Sequence, residues 1–232
     1  MSRTPLTLAE ANLLVQPLVG LPVSLPWKGY GSAIFLELGS LAPAKRSEHH
    51  NNGEACISIE WDWRVEGGST IQYGSSNSRP DIKRGIERLR GASIEKILIH
   101  GQVPELLIQF SNAQRLMSAA MVTGDPEWSI KLPDTNWVSC EGGVVYVGDG
   151  SGTETTAEEK VTIAHAKSTA ERWGAPVAEP IEGRCNNCKW FVRIDGDFDL
   201  LDFGACTSST STFDGRIVNV KSGCGAFLND ET

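Results

Sequence analysis

The segment Cys56-Ile57-Ser58-Ile59-Glu60-Trp61-Asp62-Trp63 alternates apolar and polar residues without a break. Successive side chains of an extended chain point to opposite faces, so Ile57, Ile59, Trp61 and Trp63 are expected on one face of a half-buried strand. Packing of both Trp rings in a core is the favoured reading, and a binding platform the other. Ala33–Leu38 is a second apolar strand. Further strands are predicted at Thr70–Tyr73, Ile94–Ile99, Glu105–Phe110, Trp128–Leu132 and Val144–Val147, with Gly, Pro, Asn and Asp in the gaps. Asp81–Arg90 places Ile82, Ile86 and Leu89 at helical spacing, with a strand edge as the alternative. Residues 1–150 therefore read as a β-rich domain of a mainly β (α+β) protein.

A weak repeat runs through that domain. Leu18-Val19-Gly20-Leu21-Pro22-Val23 matches Leu89-Arg90-Gly91-Ala92-Ser93-Ile94 at an offset of 71, and the same offset relates Leu36 to Leu107 and Ile59 to Ile130. Each copy would run as an L-x-G turn, two strands and a third strand carrying a Trp. Two meanders packed face to face, or one curved sheet, follow from duplication; chance matching of apolar strands is the alternative.

Residues 151–180 form a linker and a helix. Thr155…Glu158 and Thr156…Glu159 both fit a capping box, Gly174 suits the position after the last turn, and Pro176 stops continuation. Residues 176–183 read as an extended connector.

Four of the six cysteines lie in residues 181–232: Cys185, Cys188, Cys206 and Cys224. A Cys-x2-Cys turn sets two sulfurs on one side of an ion, and two more complete the tetrahedron that Zn²⁺ prefers. Short strands at Lys189–Arg193 and Arg216–Val220 and a turn at Asp214-Gly215 give the module a zinc-ribbon-like outline, and so small a core needs metal bonds. The expectation is one structural zinc per chain on these four ligands. An iron–sulfur cluster, disulfides and unligated buried thiols are the alternatives. Glycines beside Cys206 and Cys224 are expected to let backbone amides approach the sulfurs. Cys56 and Cys140, the second placed in a turn at Trp137–Gly142, are bystanders.

Composition narrows the functional classes. The 232 residues carry 21 Lys+Arg against 29 Asp+Glu, a formal charge of −8. Residues 181–232 hold five of the cations against eight acids, so the cysteine module is not basic either. General nucleic-acid binding rests on clustered Lys and Arg and is disfavoured. Neither a secretory h-region nor a membrane-spanning run is recognised, since Leu13–Trp27 is broken by Gln16, Pro17, Pro22, Ser24 and Pro26. A cytoplasmic location is expected. Lys83, Arg84, Arg88 and Arg90 form a basic cluster that reads as a solvated helix face with Asp81 and Glu87 interleaved. Asp195-Gly196-Asp197-Phe198-Asp199 fails the EF-hand pattern and reads as an acidic hairpin. His49 and His50 lie in a polar loop, His100 and His165 stand apart, and no nucleophile or metalloprotease motif occurs. No catalytic residue or small-molecule cofactor site is expected.

The pattern Cys185-x2-Cys188, Phe203-Gly204-x-Cys206, Asp214-Gly215-Arg216-x-Val218 and Gly223-Cys224-Gly225 resembles a cysteine-rich module of uncharacterised bacterial proteins, which carries no activity with it. Leu106–Leu116 and Trp128–Leu132 resemble the β-domains of bacterial immunity-type proteins, which neutralise toxins by binding. The resulting expectation is a non-catalytic, cytoplasmic, bacterial protein-binding protein: an immunity or antitoxin-like inhibitor, or an accessory subunit of a defence system. An acidic surface suits a basic protein partner. The competing readings are a zinc-ribbon nucleic-acid-binding accessory factor and an enzyme assembled from scattered residues.

Overall fold

The computed structural model describes residues 3–43, 51–121, 123, 127–151, 155–177, 183–194 and 198–230. The chain divides into two compact units, residues 1–152 and 153–232. The described residues are mainly β, with three sheets and three α-helices.

The first unit opens with β1 (Thr4–Leu6) and α1 (Leu8–Val15), followed by β2 (Val23–Lys28), β3 (Ile34–Leu38), β4 (Ala55–Ile59), β5 (Trp63–Gly67) and β6 (Thr70–Gly74). Then come α2 (Arg79–Glu87), β7 (Ile94–His100), β8 (Glu105–Phe110), β9 (Gln114–Ser118), β10 (Trp128–Lys131), β11 (Trp137–Glu141) and β12 (Val144–Gly148). One sheet runs β1-β12-β11-β10-β4-β3-β2 and the other β6-β5-β9-β8-β7. All their pairings are antiparallel. Both inner faces feed one core that includes Leu18, Leu36, Ile57, Ile94, Phe110 and Trp128. Full burial of a side chain of this kind contributes about 1.5–3 kcal/mol.

The offset of 71 is visible in the hydrogen bonding. Thr7 caps α1 by accepting from Glu10 N, and Ser78 caps α2 by accepting from Asp81 N. Gly20 N donates to Ile94 O at 2.8 Å, and Gly91 N donates to Val23 O at 2.8 Å. Ile94 N donates to Leu21 O at 3.0 Å and Val23 N to Ala92 O at 2.9 Å. Pro22 thus lies opposite Ser93, and each segment does to the other what the other does to it, as about a local two-fold axis. Both turn glycines have positive φ, +93° at Gly20 and +80° at Gly91, a region that side chains resist.

The two halves also exchange strands. After the meander β2-β3-β4 the chain crosses to the other sheet, where β5 pairs with β9; after β7-β8-β9 it crosses back, where β10 pairs with β4. Trp63 opens the first crossing strand opposite Ser118, and Trp128 opens the second opposite Ile59. Each indole reaches a hairpin carbonyl of its own half at 2.8 Å, Trp63 Nε1 to Ser32 O and Trp128 Nε1 to Pro104 O. The positional match of β4 is therefore β9. Ile130 lies opposite Ile57 on a neighbouring strand, so the expected pairing of Ile59 with Ile130 as repeat equivalents fails, and the repeated Trp belongs to a fourth strand.

Crossing also breaks the alternation predicted through Trp63. The strand stops at Ile59, and residues 60–62 turn from one sheet to the other. Trp63 is 2% exposed, whereas Trp61 is 55% exposed, so the two rings do not share a face. Residues 79–87 are helical, with Ile82 and Ile86 buried, which settles the helix against the strand edge.

The second unit contains α3 (Ala157–Trp173), β13 (Phe191–Arg193), β14 (Phe203–Cys206) and β15 (Ile217–Asn219). Thr156 and Glu159 close the capping box on α3, and Gly174 ends it at φ +93°. Trp173 meets Phe203 edge-on at 5.3 Å. Strands β13, β14 and β15 form a three-stranded antiparallel sheet. Residues 198–202 form a single 3-10 segment in the connection from β13 to β14, and Asp195, Gly196 and Asp197 of the acidic motif lie outside the described residues. So do residues 178–182 of the expected connector.

Reciprocity makes a prediction about stability. Trp63→Phe and Trp128→Phe remove equivalent indole donors, and each is expected to cost about 1–2 kcal/mol, by closely similar amounts. Urea denaturation of the two variants compares them directly; a large effect in one and none in the other contradicts the equivalence.

Candidate functional site

The four C-terminal cysteines come from different local structures. Cys185 opens a 3-10 turn closed by Cys188 N donating to Cys185 O at 3.0 Å. Cys206 ends β14, opposite Phe191. Cys224 opens a turn of the same form, closed by Phe227 N donating to Cys224 O at 3.0 Å. All four side chains line one small cavity, with Phe191 and Phe227 among its walls. Cys185, Cys206 and Cys224 are buried and Cys188 is partly so, and none is in a disulfide. Burial pushes the Cys185 thiol up to about 11, and the neighbouring Cys188, Cys224 and Cys206 push in the same direction. Among the described residues no group of three or more His, Cys, Asp or Glu side chains stands preformed to hold a metal ion.

A hydroxyl adjoins one sulfur. Ser211 Oγ lies 3.1 Å from Cys224 Sγ and accepts from Phe213 N at 2.9 Å. Two glycines serve the aromatic walls. A Cβ on Gly204 would stand 2.3 Å from the Phe191 ring, and one on Gly183 would stand 2.1 Å from the Phe227 ring. The glycine before Cys206 thus makes room for an aromatic ring, a use that the sequence pattern does not reveal.

The two remaining cysteines belong to the first unit. Cys56 sits on β4 and reaches Glu37 Oε1 at 3.4 Å; Glu37 also accepts from Gly53 N at 2.7 Å and from Trp27 Nε1 at 3.3 Å. Burial, then the Glu37 carboxylate, drives the Cys56 thiol far above its ordinary range. Cys140 lies on β11, not in the expected turn, and is fully buried. Burial raises it as well, followed by Glu127 and Glu105. A nucleophilic cysteine needs a lowered pKa, so both sites are the reverse of an activated thiol.

The other candidates disperse. His165 is exposed on α3 and His100 ends β7, while His49 and His50 lie outside the described residues. In the basic cluster Arg84 pairs with Asp81 and Arg90 with Glu87, each three residues apart on or beside α2. Arg90 also donates to Ser24 O at 2.8 Å.

A family described as a protein of unknown function (DUF3027) matches residues 109–230, and the chain belongs to that family. The match begins at the end of β8 and takes in all four cysteines of the cavity. Neither a curated protein nor a solved structure matches.

Two measurements test this chemistry. Gly204→Ala drives a methyl into the Phe191 ring and is expected to cost about 1–3 kcal/mol, read from a lowered melting temperature of the full chain. Cys56 and Cys140 hold their protons when folded but ionise near pH 8.5 when unfolded. The native state then binds more protons, so stability falls as pH rises above about 8.5, by up to about 1.4 kcal/mol per thiol per pH unit. Urea midpoints from pH 7 to 10 should show a slope that Cys56→Ala and Cys140→Ala together reduce.

Proposed function

We propose that this DUF3027 member is a non-catalytic protein-binding protein whose C-terminal module is a zinc-ribbon-like unit built on a structural zinc. Cys185, Cys188, Cys206 and Cys224 are the ligands, one ion per chain, with no small-molecule cofactor. The observation that carries the reading is the convergence of four cysteines, separated by up to 39 positions, on a single cavity. A bound ion takes the deprotonated sulfurs and supplies the attraction that four neighbouring thiolates lack. Four thiolates also close the tetrahedral shell, which leaves no open position for substrate and makes the ion structural. Cys56 and Cys140 support the non-catalytic half of the reading, since neither is activated.

The proposed activity is recognition of a basic protein, as an inhibitor of the immunity or antitoxin kind or as an accessory subunit of a bacterial defence system in the cytoplasm. An acidic chain steers such a partner and repels nucleic acid.

Elemental analysis of the purified chain in reducing buffer is expected to find about one zinc per molecule. Cys206→Ser should release it, with loss of the cooperative unfolding of the second unit; a metal-free, folded native chain overturns the zinc assignment. Co-purification from the native host of a basic protein encoded beside this chain tests the partner.

A further inference from the structure

The two strand exchanges leave large apolar side chains exposed near one another along the chain crossings. Residues 60–62 carry the chain from β4 to β5, and the segment after β9 carries it toward β10. These crossings are bonded to each other: Ala119 N donates to Asp62 O at 2.8 Å and Glu60 N to Glu127 O at 3.1 Å. Trp61 and Met121 therefore sit on neighbouring chains at one end of the first unit. They are 55% and 79% exposed, high values for side chains of this size. The β2–β3 turn adjoins them, because Ser32 Oγ donates to Trp61 O at 2.8 Å. That turn carries Tyr30, itself 40% exposed.

The rim of the patch is acidic. Glu60 and Asp62 flank Trp61 in the chain, and Glu105 holds Ala120 N, next to Met121, at 2.5 Å. Burial raises the Glu60 carboxyl above its ordinary value, so its charge is incompletely solvated and gains from a nearby cation. Lys28, the cation at the β2–β3 turn, places its ammonium on the carbonyls of Gly29 and Gly31. Trp, Tyr and Met are residue types enriched at interfaces, and Trp and Tyr dominate their energetics.

We propose that Tyr30, Trp61 and Met121 form the docking surface for a protein segment that presents an apolar side chain flanked by Lys or Arg. The occupant's chemistry follows from charge complementarity: the apolar anchor covers Trp61 and Met121, and its flanking cations meet Glu60, Asp62 and Glu105. This rests on the protein-binding reading and assigns that activity to one end of the first unit.

The test uses the full chain labelled with 5-fluorotryptophan and two synthetic hexapeptides, Arg-Lys-Leu-Phe-Lys-Arg and Glu-Asp-Leu-Phe-Asp-Glu. The basic peptide is expected to bind saturably and shift the Trp61 fluorine resonance, identified by its disappearance in Trp61→Phe. Calorimetric affinity should fall at least about tenfold in Trp61→Ala and in Met121→Ala, and by a smaller factor in Glu60→Gln. Ile71→Ala, exposed on β6 away from the patch, should leave it unchanged. Trp61 is a surface side chain whose backbone carbonyl accepts the Ser32 bond, so Trp61→Ala keeps that contact. Equal affinity in Trp61→Ala, or equal affinity for the acidic peptide, overturns the surface while leaving partner binding to another face. Absence of saturable binding by the native chain also overturns it. Recovery of a basic partner that binds Trp61→Ala undiminished would then uphold the protein-binding reading without this surface.

Discussion

The four backbone hydrogen bonds between residues 20–23 and 91–94 are the constraint on which the first unit depends. They tie the starts of β2 and β7, the end strands of two different sheets, across what would otherwise be open edges. An open edge invites pairing with another chain. Farther along, each edge is covered by the other half's helix: α1 packs on β7 and α2 on β2. Asn12 of α1 completes the cover by imitating a strand, its side-chain amide donating to Ile99 O and accepting from Ile99 N, both at 2.8 Å. One reciprocal contact thus sets the positions of two helices and protects two edges.

Strand exchange does the corresponding work at the other side of the meanders. Because β5 joins β9 and β10 joins β4, neither three-stranded half can complete its sheet alone, and folding of the halves is coupled. The indoles of Trp63 and Trp128 fasten each crossing to the hairpin of its own half. The same topology explains why the Cys56 and Cys140 thiols are pushed up. Each lies on a strand inside the seven-stranded sheet, beside a carboxylate that its thiol proton can meet, so ionisation would add a second negative charge in a desolvated place.

Sequence patterning reveals elements wherever the determinant is local. The capping box at Thr156 and Glu159, the helical spacing of Ile82 and Ile86, and most strands are read from neighbours a few residues apart. The L-x-G repeat is legible too, since positive φ at Gly20 and Gly91 is a local demand. What escapes is long-range. Nothing within Glu60-Trp61-Asp62 says that the chain leaves one sheet for another there, and perfect alternation conceals the break. The short α1 carries an apolar sequence that hides its helical periodicity, and Asn12 has meaning only against Ile99, 87 residues away. Spacing shows that four cysteines belong together, but only the folded chain shows Ser211 beside Cys224 and Gly204 beneath Phe191.

The contrast between the two cores gives the cysteines their importance. The first unit buries a continuous set of Ile, Leu, Val and aromatic side chains, whose burial opposes the entropy of ordering its chain. The second unit buries Ala166, Phe203 and Val220, and a separate cluster there consists of Cys185, Cys206, Phe213, Val218 and Cys224, with Phe191 and Ala226 packed against it. Three of its five buried members are thiols, small side chains that bring little apolar area for the residues they must order. The proposed zinc would add to such a unit what sulfur can do and a hydrocarbon cannot. Since no pair is joined in a disulfide, ligation of a metal ion is the interaction that would match the cost.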